Sequence, residues 1–327
     1  MGILLLISGV AGFFVAKAQV TVNNTLNHVH RDLDTALENV DLSGIKVNSD
    51  DQIVNILIIG NDYRKESGYY ASGLTDTMII GTMDTKHGTL KLTSLMRDLV
   101  VDIPGHGQNK LNAANSYGGV ELLYKTIATN FNIELDGYVE VGFQAFEKIV
   151  NKVGGVELEL TESEANYLNT TNYIRKKQYR NVKVGKQTLN GSQALGYCRI
   201  RKGGVTTITG LMDDYGRTWR QRTVINAVFD KVKTLPMSDW LDIANTVLDG
   251  YVTTDLSNDK ILNYMKEVVM MGTTDVKQLQ IPMSGYFRSA ANGEYSCGSC
   301  IVMTDGVSSA YDTSANAEGL NQFIFEY

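Results

Sequence analysis

The chain has 327 residues, 43% hydrophobic and 20% charged, with 36 acidic against 30 basic side chains and a formal net charge of −6. That is the composition of an ordinary globular protein, long enough for one large domain or two. The acidic balance argues against broad nucleic-acid binding, which needs a basic face, so no nucleic-acid partner is expected, although a local basic site stays open.

Ile3 to Val15 form an apolar run (ILLLISGVAGFFV) that Lys17 interrupts. A bilayer span needs about 20 mostly apolar residues, so the run is short, and Ala16-Lys17-Ala18 also resembles a signal-peptidase site. Residues 1–22 therefore read as a membrane anchor or a signal segment, with a buried core element as a third reading. Either export reading places the body outside the cytoplasm. Leu26, Val29, Leu33, Leu37 and Val40 then recur at three- and four-residue spacing, one face of a helix. Residues 23–51 are expected to be a short helical stalk or linker whose apolar stripe packs on the body.

The body is expected over residues 52–327. Ile53 to Gly60 (IVNILIIG) is too short and continuous for an amphipathic helix and suits a strand buried on both faces. TMIIGTMD and LKLTSLMRD (Leu90 to Asp98) read as further strands, joined by a turn at Lys86-His87-Gly88. GGVELLYKTIATNF carries Val120, Leu123 and Ile127 at helical spacing. YVEVGF reads as a strand, and Phe143, Phe146, Ile149, Val150 and Val153 mark the next helix. GGVELEL is another strand, LNGSQALGY starts a helix, and WRQRTVINAVFDKV is a strong one. Strands alternating with helices predict an α/β fold, a central sheet with helices on both faces. With three prolines and no low-complexity linker, one body is expected rather than two.

Asp62 and Arg64 directly follow the first strand, where α/β sheets commonly build sites. Asp76 stands at the start of the second. If those strands are neighbours, Asp62 and Asp76 can meet at one edge of the sheet. Two hard carboxylates with open positions suit Mg²⁺, which takes one or two protein carboxylates plus phosphate oxygens; a turn aspartate and a cap aspartate are the plain alternative. Arg97 emerges from the third strand, beside an Asp98 that could simply pair with it.

The stretch YCRIRKGGVTTITGLMDDYGRTWRQR (Tyr197 to Arg222) gathers arginines in an acidic chain. Arg199 and Arg201 stand two apart in what reads as an extended segment, so both project to one face. Arg217, Arg220 and Gln221 share one face of the following helix. Asp213 or Asp214 can cap that helix, leaving its N-terminal amides for an anion. The plain reading of the helical pair is a charged face laced by those aspartates. His28, His30, His87 and His106 lie outside every cluster, and no GxSxG, Cys-His, HExxH or P-loop pattern is present. Arginine with Mg²⁺ around a phosphate, without a covalent nucleophile, is a common arrangement for phosphoryl transfer. Cys297 and Cys300 form a lone CGSC pair, half of a zinc site at most, and read as a local disulfide or two idle thiols.

The ordered set NILIIGNDYR, TDTMII, TSLMRD with VDIPG, NKLNAANSYGG, VGGVEL, LNGSQALGYCRIR and DYGRTWRQR resembles the LytR-CpsA-Psr family of cell-envelope proteins, from about Asn55 to Phe229. The resemblance implies a three-layer α-β-α fold around a central mixed β-sheet, behind a single-pass N-terminal membrane anchor with the body extracytoplasmic. It implies a transferase that takes an anionic glycopolymer (teichoic acid, capsule or similar) from a polyprenyl-pyrophosphate carrier to a peptidoglycan acceptor. Asp62 and Asp76 match the family's Mg²⁺ ligands, with Mn²⁺ as a substitute ion. Arg97, Arg199, Arg201, Arg217 and Gln221 match its pyrophosphate positions, with Arg64, Lys110 and Arg220 as support. The polyprenyl tail is expected between sheet and helices, with Gly118 to Phe131 and Phe143 to Val153 as lining. Two departures stand out: Leu74 replaces a common family arginine, and GGVTTITGLMD intervenes between Arg201 and Asp214. Leu74 leaves a second function open, a non-catalytic binder of polyprenyl phosphate or anionic polymer.

Overall fold

The computed structural model describes residues 30–31, 36–61, 75–235, 252–273 and 276–326. Its strands begin with β1 (His30–Arg31), β2 (Ile53–Asn61), β3 (Thr77–Asp84), β4 (Thr89–Leu95), β5 (Val100–Ile103), β6 (Gly107–Lys110) and β7 (Gly137–Gly142). They continue with β8 (Val156–Leu160), β9 (Gly185–Leu189), β10 (Val252–Thr254), β11 (Val276–Ile281), β12 (Phe287–Ser289) and β13 (Ile301–Met303). The helices are α1 (Leu111–Phe131), α2 (Phe143–Lys152), α3 (Glu162–Thr170), α4 (Gly191–Arg199), α5 (Asp213–Lys233), α6 (Asn258–Met271) and α7 (Ser314–Phe325).

Seven strands make the central sheet, in the order β1-β10-β7-β2-β3-β4-β11. β2 runs antiparallel to β3 and parallel to β7, and β4 runs parallel to β11. The sheet is mixed, as the family resemblance implies. β8 and β9 form a separate antiparallel ribbon beside it, so GGVELEL is a strand but not one of the central sheet.

Local chemistry sets several boundaries. Thr161 and Glu164 form a reciprocal capping box that starts α3, and Asn190 with Gln193 does the same for α4. The helix read from Gly118 onward is preceded by a shorter helical stretch from Leu111, and the two meet at Gly118-Gly119, where neither glycine is helical and Gly119 takes a φ of 65°. That left-handed value costs glycine little and other residues much.

One face of the sheet is closed. Leu57 and Ile59 of β2 and Met78 and Ile80 of β3 pack with Leu123, Ile127 and Phe131 of α1 and Leu320 and Ile324 of α7. Each such buried side chain contributes about 1.5–3 kcal/mol. The other face carries α2, α4 and α5, joined by the β8–β9 ribbon in a second cluster around Val150, Val156, Leu189, Tyr197 and Val224. The expectation that β2 is buried on both faces is corrected here: its odd residues are buried and its even ones are half-buried. The second helix layer stands off the sheet and leaves space above those even positions.

The expected helical stalk also changes in its described part. His30–Arg31 pair with β10 as a strand, and Leu37–Asn39 form a single 3-10 turn. The segment lies along the body and satisfies its backbone there: the Leu37 amide donates to the Asp255 carboxylate at 3.0 Å. Its apolar residues do pack on the body, with Leu37 2% exposed. Residues 1–22, read as anchor or signal, lie outside the described residues, and among those described no helix is long and apolar enough to cross a membrane.

Candidate active site

A cavity of about 300 Å³ lies between the sheet and helices α2, α4 and α5. Four residues spaced along α5 trace it: Arg217, Gln221, Ile225 and Val228 all line it, one stripe of a helix. Its body is apolar, built by Ile58, Phe143, Phe146, Ile149 and Leu195, while Asp76, Arg199, Arg201, Arg217 and Gln221 supply its polar part. The polar groups gather where β2 and β7 end together, with Asn61 opposite Gly142. Gly60 is needed at this end, because a Cβ there would lie 2.8 Å from the Thr77 Cβ. A second cavity of about 280 Å³ continues past Ile225, lined by Val54 and Ile56 of β2, Phe229 of α5 and Tyr264 and Val268 of α6. Even-numbered residues from Val54 to Gly60 thus floor both spaces, a run of roughly 20 Å at strand spacing.

The polar end is a network of alternating charge. Asp76 pairs with Arg97 through Oδ1, and the same oxygen lies 4.0 Å from Arg217. Arg97 also reaches Asp98 at 3.3 Å and Asp214 at 3.5 Å, and Asp214 holds Arg217 at 3.3 Å. Lys110 closes the rim on Asp98 at 3.1 Å. Asp76 is placed by its neighbour: the Asn115 amide of α1 donates to the buried Thr75 hydroxyl at 2.7 Å. Arg199 is held over the Phe143 ring at 4.9 Å and the Tyr173 ring at 5.8 Å, a cation–π contact at an apolar wall.

These environments set the ionisation. Burial works against the Arg97 guanidinium, yet Asp98, Asp214 and Asp76 outweigh it and hold its pKa above the ordinary arginine value. For Arg217 burial wins and pushes the pKa down, helped by the like charges of Arg97 and Arg201. Burial raises the Asp214 carboxyl, and its hydrogen bond with Asp98 adds to the rise. Burial also acts to raise Asp98, but the hydrogen bond with Asp214 and the charges of Arg97 and Lys110 outweigh it, and its pKa falls. Of the two carboxyls, Asp214 therefore takes a proton more readily than Asp98. The Arg217 Nε is buried with no hydrogen-bond partner among the described residues.

Residues 13–304 match the LytR_cpsA_psr family. The chain belongs to that family. It is 33% identical over 245 residues to the polyisoprenyl-teichoic acid–peptidoglycan teichoic acid transferase TagU of Enterococcus faecalis, covering 73% of each chain. It is 27% identical over 275 residues to the regulatory protein MsrR of Staphylococcus aureus, covering 84% of this chain and 75% of that one. Among solved structures, TagT bound to LIIa-WTA superposes with a TM-score of 0.64 at 26% identity, covering 88% of this chain and 96% of the other.

In this LytR_cpsA_psr member the structure brings together Asp76, Arg97, Arg199, Arg201, Arg217 and Gln221 of the residues singled out by sequence. Asp62 and Arg64 lie outside the described residues, as does Leu74. The condition set for Asp62 does hold: β2 and β3 are antiparallel neighbours, and the Asp76 amide donates to the Gly60 carbonyl at 3.3 Å. Lys110 reaches the network through Asp98 rather than lining the cavity.

Arg220 is a correction. It is wholly buried and donates to the Glu164 carboxylate at 2.7 Å and to the carbonyls of Ile200 and Val205 at 3.1 and 3.2 Å. One residue earlier or later on α5 the side chain points elsewhere; at this one it faces α3, where Nε bonds Glu164 while the two terminal nitrogens pin the segment after α4. Arg199 ends helix α4 rather than starting an extended segment, with the buried Ile200 as the extended cap. Neither Asp213 nor Asp214 caps α5, whose N-cap is Met212; Asp214 turns instead to the arginines. Of the two helices expected to line an apolar tunnel, α2 does and the Gly118–Phe131 part of α1 does not, because it packs on the closed face.

The paired role of Asp98 and Asp214 was not read from sequence, although Asp214 stands three residues before Arg217, at the spacing of a helical ion pair. Tyr173 carried no signal, since it lies in an irregular turn. A metal ion here would rest on Asp76 and on Asp62. Among the described residues no group of three or more His, Cys, Asp or Glu side chains gathers to hold one. The donor chemistry still fits Mg²⁺: Asp76 makes its ion pairs through Oδ1 and its side chain is 41% exposed, a carboxylate open to a hard cation.

Proposed function

We propose that the chain is a phosphotransferase that moves an anionic glycopolymer from a polyprenyl-pyrophosphate carrier to peptidoglycan. One observation carries this reading: an apolar cavity whose polar end holds a buried Arg217 Nε, without a partner among the described residues, beside Arg199 and Arg201. A long apolar tail with a pyrophosphate head has that same division of character. The teichoic acid transferase activity for which the Enterococcus relative is named agrees with it.

In this reading Arg199, Arg201 and Arg217 hold pyrophosphate oxygens, with Gln221 as a neutral donor, and Arg97 steadies the reacting phosphate from the Asp76 side. The apolar lining keeps the polyprenyl chain out of water and fixes the head at the polar end. An acceptor hydroxyl attacks the phosphorus that carries the polymer. Its O–P bond forms as the bridging P–O bond breaks, and polyprenyl phosphate leaves with the electron pair. The Asp98–Asp214 pair beside the arginines is the proton acceptor for that hydroxyl. A Mg²⁺ ion on Asp62 and Asp76, or Mn²⁺ in its place, would supply further positive charge to the pyrophosphate oxygens. Residues 1–22 would anchor the chain by a single pass, with the body extracytoplasmic, where its substrates are.

Purified protein given lipid-pyrophosphate-linked polymer, peptidoglycan and Mg²⁺ should transfer polymer, and Asp76→Ala should abolish transfer. Failure of both transfer and pyrophosphate cleavage, beside a relative active in the same assay, would overturn the reading. Leu74, in place of a common family arginine, favours a second one: a non-catalytic binder of polyprenyl phosphates or anionic polymer. Lipid binding that survives in Asp76→Ala, with no turnover in either protein, would support that alternative.

A further inference from the structure

Cys297 and Cys300 take no part in the cavity or the charge network. They lie in the loop between β12 and β13, and their Sγ atoms are 3.2 Å apart. The CGSC turn brings them together. Gly298 adopts a φ of 73° and donates its amide to the Tyr295 carbonyl at 3.3 Å, so the chain doubles back within the motif. Both flanks are fixed. Arg288 of β12 grips both carboxylate oxygens of Glu294, and the Ala290 amide donates to the Cys300 carbonyl at 3.0 Å. Cys300 is buried against Val100 and Val302, while Cys297 is half-buried between exposed neighbours.

A disulfide has an S–S distance of about 2.04 Å, so an approach of roughly 1 Å closes this pair. We propose that Cys297 and Cys300 form an intramolecular disulfide that closes the loop of the β12–β13 hairpin. It rests on the export reading above for an oxidising compartment. The more exposed Cys297 thiolate attacks one sulfur of a donor disulfide, carried by a thiol–disulfide oxidoreductase or a small molecule. A mixed disulfide forms and one donor thiolate leaves. The Cys300 thiolate then attacks the Cys297 Sγ, and the second donor thiolate leaves. Two electrons pass from the cysteines to the donor, and the two thiol protons end on the released donor thiols. Burial, with Cys297 alongside, holds the Cys300 thiol up at about 12, which agrees with Cys297 attacking first.

The hairpin is tied directly to the charge network. The Ile301 amide donates to the Asp98 carbonyl at 2.9 Å, and Ile301 bridges to Leu99. A closed bond at Cys300 therefore stiffens the backbone that carries Arg97 and Asp98.

The full chain is incubated with oxidised glutathione, denatured, alkylated without reductant and digested with trypsin. The peptide that follows Arg288 should emerge two hydrogens light and unalkylated, while Cys198 takes an alkyl group. Two alkyl groups on that peptide after oxidation would overturn the proposal. Thermal unfolding adds a second readout: reductant should lower the wild-type Tm by a few degrees and leave the Cys297→Ser, Cys300→Ser double variant unmoved. An equal response in both would also overturn it. The peptide mass does not depend on transfer, so a cross-linked protein that moves no polymer sinks the functional reading alone.

Discussion

Strand β2 has two faces with opposite fates. Leu57 and Ile59 point into a closed core where they are 0% and 1% exposed, packed under α1 and α7. Ile58 and Gly60, one residue away on each side, floor an open cavity of about 300 Å³. Apolar space left empty costs stability, so the second face trades packing for a ligand. Helix α5 repeats the contrast in charge. Arg220 has its carboxylate and two carbonyls, all from the protein, whereas Arg217 keeps an Nε with none among the described residues. The closed residues hold the fold, and their neighbours on the open side wait for something else.

The sharpest test of that contrast is the arginine pair. Arg220→Ala leaves Glu164 buried and uncompensated, and should cost about 3–5 kcal/mol of stability by denaturant unfolding. Arg217→Ala relieves a buried, partly repelled cation, so its stability should change by no more than about 1 kcal/mol while transfer falls by at least about 100-fold, or 2.7 kcal/mol. If the two variants exchange these phenotypes, the division of labour on α5 is wrong. Next comes β2 itself. Leu57→Ala should lose about 2–5 kcal/mol, while Ile58→Ala, which already faces space, should stay within about 1.5 kcal/mol. Its effect belongs in the KM for a long-chain lipid donor, with a shortened donor affected less. A matched loss of stability in both would mean that the cavity is an ordinary core in another conformation.

Much of this is legible in the amino-acid sequence. The order of strands and helices followed from periodicity, because a strand and a helix repeat their apolar residues at different intervals. Arg97, Arg199, Arg201 and Arg217 stood out as arginines gathered in an acidic chain, with plain ion pairs left open for Arg97 and Arg217 until the family resemblance singled them out. Two things stayed hidden. Single-sequence patterning gives the same apolar run for a strand packed on both sides as for one with a cavity on one side, so the standing-off of α2 and α5 over Ile58 was unreadable. Arg220 and Arg217 are equally polar and share a helix face by spacing, and only the position of Glu164 on α3, 56 residues earlier, decides that one is structural. Asp214 was read as a cap because aspartate near a helix start usually is one.

The smallest effect, and the one that reads both faces at once, is the pH dependence of stability. On the closed side Asp84 sits against Lys91 at 2.7 Å and His87 at 2.8 Å. Burial alone would raise its carboxyl, but the hydrogen bonds from Lys91 and His87 outweigh it and hold the pKa below the ordinary aspartate value. A depressed carboxyl contributes stability that is full above its unfolded value, near 3.8, and lost as pH falls through its folded one. Asp214 on the open side has the opposite sign. Its pKa is raised, so its contribution is full below the unfolded value and is lost as pH rises through the folded one. Asp98, Arg97 and Arg217 face it and Lys110 backs Asp98, and the opposing charges keep the net effect small. Lowering the pH from neutral toward 4 should therefore slightly stabilise the ligand-free protein relative to Asp214→Asn, and below that Asp84→Asn should lose less with acid than wild type. Urea midpoints across this range check both signs. An Asp214→Asn protein whose midpoints run parallel to wild type from pH 7 to 4 would show that the Asp214 carboxyl is no stronger a base than an ordinary aspartate, and would weaken its assignment as acceptor for the incoming hydroxyl.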